Sequence, residues 1–114
     1  MDAVQMLLLF DYYGELLTPR QRMCIDLRYN QDLSFAEIAA ELGISRQGVF
    51  DNISRAEARM AKMEEKTGCV RRMLQSRKAA RVIADTAASL ADHTDPVVQE
   101  AAERIAEAIR SIEE

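Results

Sequence analysis

The chain has 114 residues, of which 48% are hydrophobic and 30% are charged, and its formal net charge is −4. This length suits one domain, or a small domain with a helical extension, and is too short for two catalytic domains. Four glycines, two prolines and no tryptophan leave little material for a turn-rich β protein. The composition therefore favours a helical globular fold over a disordered chain or a disulfide scaffold.

Charge is distributed unevenly along the chain. A net negative charge by itself argues against a nucleic-acid partner. Residues 68–81, however, carry five basic side chains and no acidic one, whereas residues 82–114 carry two basic and eight acidic side chains. A basic segment thus lies between a balanced first part and an acidic end.

Two helices are predicted before residue 30. Residues 4–17 are dense in Met, Leu, Phe and Tyr, which predicts a mostly buried helix that ends near residues 14–17. Thr18, Pro19 and Gln21 then form the pattern of a capping box with proline at the first helical position. The second helix is therefore expected to begin here and to run to about Tyr29. Its buried side is expected to carry Met23, Cys24 and Leu27.

The strongest pattern is a pair of helices within residues 34–67. Ser34 and Glu37 form a second capping box, and Gly43 is expected to end that helix in a left-handed conformation. Ser45 is expected to cap a longer helix that ends at residues 67–68. The apolar stripes are Phe35, Ile38, Ala39 and Leu42 in the first helix and Val49, Ile53, Ala56, Met60 and Met63 in the second. Two helices joined by a short glycine-containing turn predict a helix-turn-helix.

The remainder of the chain predicts two further helices. A basic stretch at residues 71–81 runs into a helical pattern that ends near residue 90, and Asp95 with Pro96 marks a new helix start. The expected apolar seams are Ile83, Ala87 and Leu90, then Val98, Ala101, Ile105, Ile109 and Ile112. These alanine-rich seams predict an antiparallel hairpin. We therefore predict an all-α protein with a helix-turn-helix domain at 1–68 and a helical hairpin at 69–114.

Helical geometry predicts which side chains of the longer helix face a partner. With Val49, Ile53 and Ala56 inward, the opposite side carries Gln47, Asp51, Ser54, Arg55 and Ala58. Gln47 and Arg55 are types that hydrogen-bond base edges, while Arg46 and the helix start could hold a phosphate. Asp51 repels phosphate and could accept only from a cytosine amino group. The predicted nucleic-acid-binding residues are Arg46, Gln47, Ser54, Arg55 and Arg59.

A second basic group lies in the predicted hairpin. Arg71, Lys78 and Arg81 share one helix face, which would suit contacts to a nucleic-acid backbone. The alternative is that these side chains pair with the acidic last helix, where three glutamates also share a face. Those glutamates are Glu100, Glu103 and Glu107.

Four motifs resemble the YlxM family of small bacterial helix-turn-helix proteins. They are LLFDYY at 8–13, LLTPRQR at 16–22, DLSFAEIA at 32–39 and ISRQGVFDNISRAE at 44–57, so the resemblance covers about residues 5–68. It implies a fold like the promoter-reading C-terminal region of bacterial sigma factors. Family members are encoded beside signal recognition particle genes, which implies a regulatory or modulatory role in that pathway. Gly48 departs from the expected helix former and costs about 1 kcal/mol of helix propensity.

Other function classes find little support in the sequence. Cys24 and Cys69 have no second Cys or His at ligand spacing, so neither a metal site nor a disulfide is expected. His93, beside two aspartates, is typical of a solvated histidine, and no glycine-rich phosphate loop is present. We expect no catalytic residue and no cofactor. The absence of a signal peptide or a long apolar run predicts a soluble, cytoplasmic protein.

The residues and the resemblance together predict a non-enzymatic regulator that acts through its helix-turn-helix on DNA or on the signal recognition particle machinery. The alternative is an interaction module in which the same helices bind the GTPase subunit or the RNA of that particle and no promoter is read. The alanine-rich seams within residues 82–112 also predict a homodimer.

Overall fold

A computed structural model of the protein describes residues 2–113, and every regular element in that range is helical. Six α-helices follow one another there: α1 Ala3–Tyr13, α2 Pro19–Ile25, α3 Phe35–Leu42, α4 Arg46–Thr67, α5 Cys69–Ser89 and α6 Pro96–Glu113. A 3-10 turn, Gly14–Leu16, follows α1, and a π-helical segment, Asp26–Asn30, follows α2. The predicted all-α class is confirmed.

The chain divides into two compact units, Met1–Val70 and Arg71–Glu114. The first unit contains α1 to α4 and the first two residues of α5. The second contains the remainder of α5 together with α6. No helix in residues 2–113 is both long enough and apolar enough to cross a bilayer.

Both predicted capping boxes are present in the first unit. The hydroxyl of Thr18 accepts from the backbone N–H of Gln21 at 3.2 Å, and the Gln21 side chain accepts from the backbone N–H of Thr18 at 3.1 Å. Ser34 and Glu37 exchange the same pair of bonds at 3.1 and 3.0 Å. The bond from the Ser34 backbone N–H, followed by the contact with its hydroxyl, lowers the pKa of Glu37. The starts of α2 and α3 are thus encoded locally.

The turn between α3 and α4 depends on one glycine. Gly43 ends α3 with φ 67° and ψ 34°, a left-handed conformation that side chains with a Cβ adopt at a cost. Two residues later, the Ser45 hydroxyl accepts from the backbone N–H of Gly48 at 2.9 Å and caps α4. The predicted helix-turn-helix therefore consists of α3 and α4.

The core of the first unit is built around α4, which contacts α1, α2 and α3. The largest fully buried side chains of this core are Met6, Cys24, Ile25, Ile38, Val49 and Met60. Burial of one such aliphatic side chain stabilises a fold by about 1.5–3 kcal/mol. This packing fixes the rotation of α4 and so determines which of its residues face outward.

Two predictions of burial in the first unit are wrong. Met23 is 49% exposed, and Ile25, two positions later, is buried in its place. Cys24 and Ile25 are about 100° apart around α2, so the inward side lies between them, and Met23, about 100° before Cys24, faces outward. Tyr12 and Leu16 are also about half exposed, although residues 4–17 were expected to be mostly buried. Leu16 lies in the 3-10 turn, outside the α-helical period of α1.

Burial in the second unit falls on three alanines and one isoleucine. On α5 the buried residues are Ala80 and Ala87, and on α6 they are Ala102 and Ile109, a spacing of seven in each helix. The predicted seam is confirmed at Ala87 and Ile109 and is wrong at four other members, since Ile83, Leu90, Ile105 and Ile112 are exposed. Ala101, expected inside, is exposed as well, one position before the buried Ala102. The predicted restart is present, because an Asp95 carboxylate oxygen accepts from the backbone N–H of Val97 at 2.9 Å.

Candidate nucleic-acid interface

The outward side of α4 opposes the side that is packed into the core. Val49, Ile53, Ala56 and Met60 are buried, so their positions define the inner side of the helix. The outer face, which we define as Gln47, Asp51, Ser54, Arg55 and Ala58, lies on the opposite side. All five are exposed except Ser54, which is half-buried. Arg46 and Arg59, at the edges of this face, are exposed too.

Two residues of the outer face are hydrogen-bonded to each other. The Gln47 side-chain amide donates to a carboxylate oxygen of Asp51 at 3.0 Å, one helical turn further along. One N–H of Gln47 is thereby engaged, while its other N–H and its carbonyl oxygen keep their hydrogen-bonding capacity. Asp51 thus has a partner within α4 in addition to its predicted role toward a cytosine amino group.

The first turn of α4 has a close contact around Gly48. A Cβ at this position would lie 3.2 Å from the capping hydroxyl of Ser45 and 3.7 Å from the side chain of Ile44. The Asn52 side chain donates to the Gly48 carbonyl at 2.8 Å. A larger side chain would press on the N-cap, so the glycine keeps the cap undisturbed despite its low helix propensity.

The half-buried phenol of Tyr29 contacts one flank of α4. The Tyr29 hydroxyl, in the π-helical segment, donates to a carboxylate oxygen of Glu57 at 2.5 Å. Burial, followed by the hydrogen bond and the negative charge of Glu57, raises the pKa of Tyr29 to about 12 from its usual 10.0. The neutral phenol is therefore the form that the folded protein stabilises.

This raised pKa predicts a loss of stability in strong alkali. Because the phenol is held neutral in the folded state, its contribution to the free energy of unfolding is complete below pH 10 and is lost as the pH rises from 10 to about 12. Tyr29→Phe should lack this part of the pH dependence. Denaturant unfolding of both proteins across that range measures it, with Tyr12→Phe as the exposed control. Parallel pH curves for the wild type and Tyr29→Phe would contradict the assignment.

Phe50 lies beside the outer face of α4 and is not among the predicted contact residues. Its ring is 49% exposed and meets Phe35 of α3 edge to face, with 6.2 Å between ring centroids and 65° between planes. The Arg28 guanidinium lies 5.1 Å from the centroid of Phe35 and donates to the Leu33 carbonyl at 2.9 Å. Hydrogen-bonding side chains, from which the site was predicted, do not single out an apolar residue. The available signal was the position of Phe50, one residue after the inward-facing Val49.

The three other predicted contact residues lie on α5 in the second unit. Arg71, Lys78 and Arg81 are exposed there, as are Glu100, Glu103 and Glu107 on α6. Contacts of these basic side chains to a nucleic-acid backbone, and their pairing with the glutamates, both stay predictions. The structure therefore brings five of the eight predicted residues together along one helix of the first unit.

The remaining titratable candidates are Cys24 and His93. Cys24 is buried, and desolvation raises the pKa of its thiol, which lowers its reactivity. The exposed imidazole of His93 accepts from the backbone N–H of Asp95 at 3.0 Å, within the connection before α6. Among residues 2–113, no three His, Cys, Asp or Glu side chains cluster in a way that could hold a metal ion.

Comparison with known proteins extends the predicted resemblance along the chain. Residues 2–101 match the model of the UPF0122 family, described as "Putative helix-turn-helix protein, YlxM / p13 like". A UPF0122 protein of Acetivibrio thermocellus is 42% identical over 117 aligned residues, which cover 97% of this chain and 100% of that protein. A UPF0122 protein of Listeria innocua is 46% identical over 65% of this chain and 67% of its own length. The similarity thus reaches beyond residue 68 into α5 and α6.

Proposed function

Since the chain belongs to the UPF0122 family of YlxM/p13-like helix-turn-helix proteins, we propose that it is a non-enzymatic, cytoplasmic regulatory protein that binds duplex DNA through α4. The observation that carries this proposal is the exposure of Gln47 and Arg55 on the outer face, next to a capped helix start. The resemblance described above supports a role in the signal recognition particle pathway.

Each predicted contact residue of α4 has a defined role in this proposal. Gln47 and Arg55 hydrogen-bond base edges in the major groove, because a side-chain amide suits adenine and a guanidinium suits guanine. Arg46, beside the start of α4, holds a phosphate together with backbone N–H groups. Ser54 adds a hydroxyl to the outer face, and Arg59 reaches the backbone from its edge.

The charge of the outer face sets the expected strength of binding. Asp51 and Arg55 carry opposite charges, and the other three members are neutral, so the face has no net charge. Phosphate contacts then come mainly from Arg46 and Arg59 at the edges. Since each neutralised phosphate contributes about 0.9 to the salt slope, two contacts predict a slope of about −2. Affinity for DNA of arbitrary sequence is therefore expected to be weak.

Arg55→Ala tests the proposed reading of bases. We expect a loss of about 1–3 kcal/mol in binding to the preferred duplex and little change on unrelated duplexes, because a base contact contributes only at its own base pair. Fluorescence anisotropy with duplexes selected from a randomised library measures both affinities. Arg22→Ala, an exposed arginine of α2, is the matched control. Equal losses on all duplexes would show that Arg55 contacts phosphate rather than a base.

Two observations favour a second candidate function. The carboxylate of Asp51 lies within the outer face, and the ring of Phe50 is exposed beside it. Such a neutral, partly apolar surface also suits a protein or RNA partner, and the candidate here is the GTPase or the RNA of the signal recognition particle. A pull-down from cell lysate with and without nuclease separates the two functions. Retention of the GTPase after nuclease treatment, with only background DNA binding, would replace the DNA-reading proposal.

We also propose that the protein forms a homodimer. The exposed apolar side chains of the second unit support this, with Ile112 at 70%, Val82 at 61% and Ile105 at 41% exposure. A surface of this kind favours association. Sedimentation of the full chain at micromolar concentration distinguishes a dimer from a monomer.

A further inference from the structure

We infer that Phe50 is a specificity-determining residue which recognises the 5-methyl group of a thymine in the major groove. The inference rests on the proposed binding of duplex DNA and names a base that Phe50, beside the outer face, contacts. It adds an apolar contact to a site that was predicted from polar residues alone.

The first step is the exposure of the ring. Phenylalanine is usually buried, because withdrawal of its apolar surface from water is favourable. Phe50 is 49% exposed, on a helix whose neighbouring Val49 is fully buried. A partner that covered the ring would therefore gain free energy from surface that the first unit leaves exposed.

The second step is the position of Phe50 on α4. Residues three and four apart are neighbours on a helix surface, so Phe50 adjoins Gln47 on one side and Ser54 on the other. In a helix-turn-helix, the N-terminal residues of the second helix are the ones that contact base edges. Phe50 lies in the second turn of α4, close enough to the helix start to enter the groove with Gln47.

The third step is the support of the ring. Phe35 meets Phe50 edge to face, and the Arg28 guanidinium is placed over the ring of Phe35. Such aromatic pairs stabilise one arrangement by about 0.5–1.5 kcal/mol beyond their burial. The orientation of the exposed ring is thereby restrained before any partner arrives, which lowers the entropic cost of binding.

The fourth step is the chemistry of the groove. The major-groove edges of the base pairs present hydrogen-bond donors and acceptors, together with one apolar group, the thymine methyl. A phenyl ring beside the amide of Gln47 suits two neighbouring bases. The ring contacts the methyl of a thymine, and the amide hydrogen-bonds to the base next to it. Burial of one methyl is worth about a factor of four in affinity.

The experiment uses the full chain and two rounds of measurement. Duplexes are first selected from a randomised library, and each thymine of the enriched duplex is then replaced by uracil, which removes only the methyl group. We expect one replacement to weaken binding of the wild type about fourfold. Phe50→Ala should bind the thymine and uracil duplexes equally, whereas Phe50→Leu should keep part of the preference.

Controls separate a loss of recognition from a loss of folding. Circular dichroism melting shows whether each variant is folded. Tyr12→Ala removes an aromatic side chain of similar exposure, 47%, from α1 and should keep the full preference for thymine. If Phe50→Ala is unfolded, Phe50→Leu alone decides, because a folded leucine variant with an unchanged thymine preference would overturn the inference.

The outcomes also separate this inference from the proposed function. Enrichment of a duplex with no effect of uracil, or with an effect that persists in Phe50→Ala, would overturn the role of Phe50 and leave DNA binding intact. Failure to enrich any duplex would overturn both. A parallel selection uses single-stranded sequences. If these are enriched in preference to duplexes, the ring contacts an unpaired base instead, and the inference is overturned.

Discussion

Replacement of Ile38 by alanine is expected to lower the free energy of unfolding of the first unit by about 2–5 kcal/mol. Ile38 is fully buried on α3, the helix that packs against α4 in the helix-turn-helix. The substitution removes apolar burial and leaves a cavity between two helices that are fixed by their own caps. Urea unfolding followed by tyrosine fluorescence measures the change, because all three tyrosines lie in the first unit.

A control from the same helix makes the result specific. Glu41→Ala alters an exposed residue of α3 and should change the free energy of unfolding by no more than about 0.5 kcal/mol. Similar losses for Ile38→Ala and Glu41→Ala would indicate that the helix itself, rather than its packing on α4, had been weakened. A loss below about 1 kcal/mol for Ile38→Ala would contradict the described core.

The second large effect is expected at Glu64, near the end of α4. One oxygen of this carboxylate accepts from the Tyr13 hydroxyl at 2.8 Å and from the backbone N–H of Val70 at 3.0 Å. Hydrogen bonds to a charged group contribute about 1.5–3 kcal/mol, and their loss leaves buried donors unsatisfied. We expect Glu64→Ala to lower the free energy of unfolding of the first unit by about 2–3 kcal/mol, measured by the same urea unfolding.

The neighbouring carboxylate provides the matched control. Glu65 is exposed, and Glu65→Ala should have an effect within about 0.5 kcal/mol. Tyr13→Phe removes one of the two bonds to Glu64 and should fall between the two alanine variants, because the backbone N–H of Val70 still donates to Glu64. An equal effect of Glu64→Ala and Glu65→Ala would mean that a general loss of negative charge, rather than these bonds, governs stability.

The fold of the first unit could be predicted because its signals are local. Thr18 with Gln21, and Ser34 with Glu37, are recognisable within four residues, and Gly43 marks a turn that requires a left-handed backbone. The inward side of α4 followed directly from its apolar spacing. The placement of Arg46, Gln47, Arg55 and Arg59 on an exposed surface needed no further information.

Other features depend on tertiary structure that no local pattern reports. The inward side of α2 is set by its packing against α4, which buries Cys24 and Ile25 and leaves Met23 exposed. On α5 and α6 several side chains have similar apolar character, and the choice of Ala80 and Ala102 as buried positions depends on close helix packing. Phe50 was missed because an apolar residue beside a core position is expected to be buried.

The carboxylate of Asp51 affects the fraction of the protein that would be bound to unspecific DNA in a cell. A chromosome offers on the order of a million or more unspecific sites, and a strongly basic helix would be sequestered by them. A negative charge within the outer face weakens every such encounter, whatever the sequence, since it acts on phosphates rather than on bases. Under the proposed binding of DNA, we expect the molecule to remain largely unbound in the cell, so that a few correct targets compete for a freely diffusing pool.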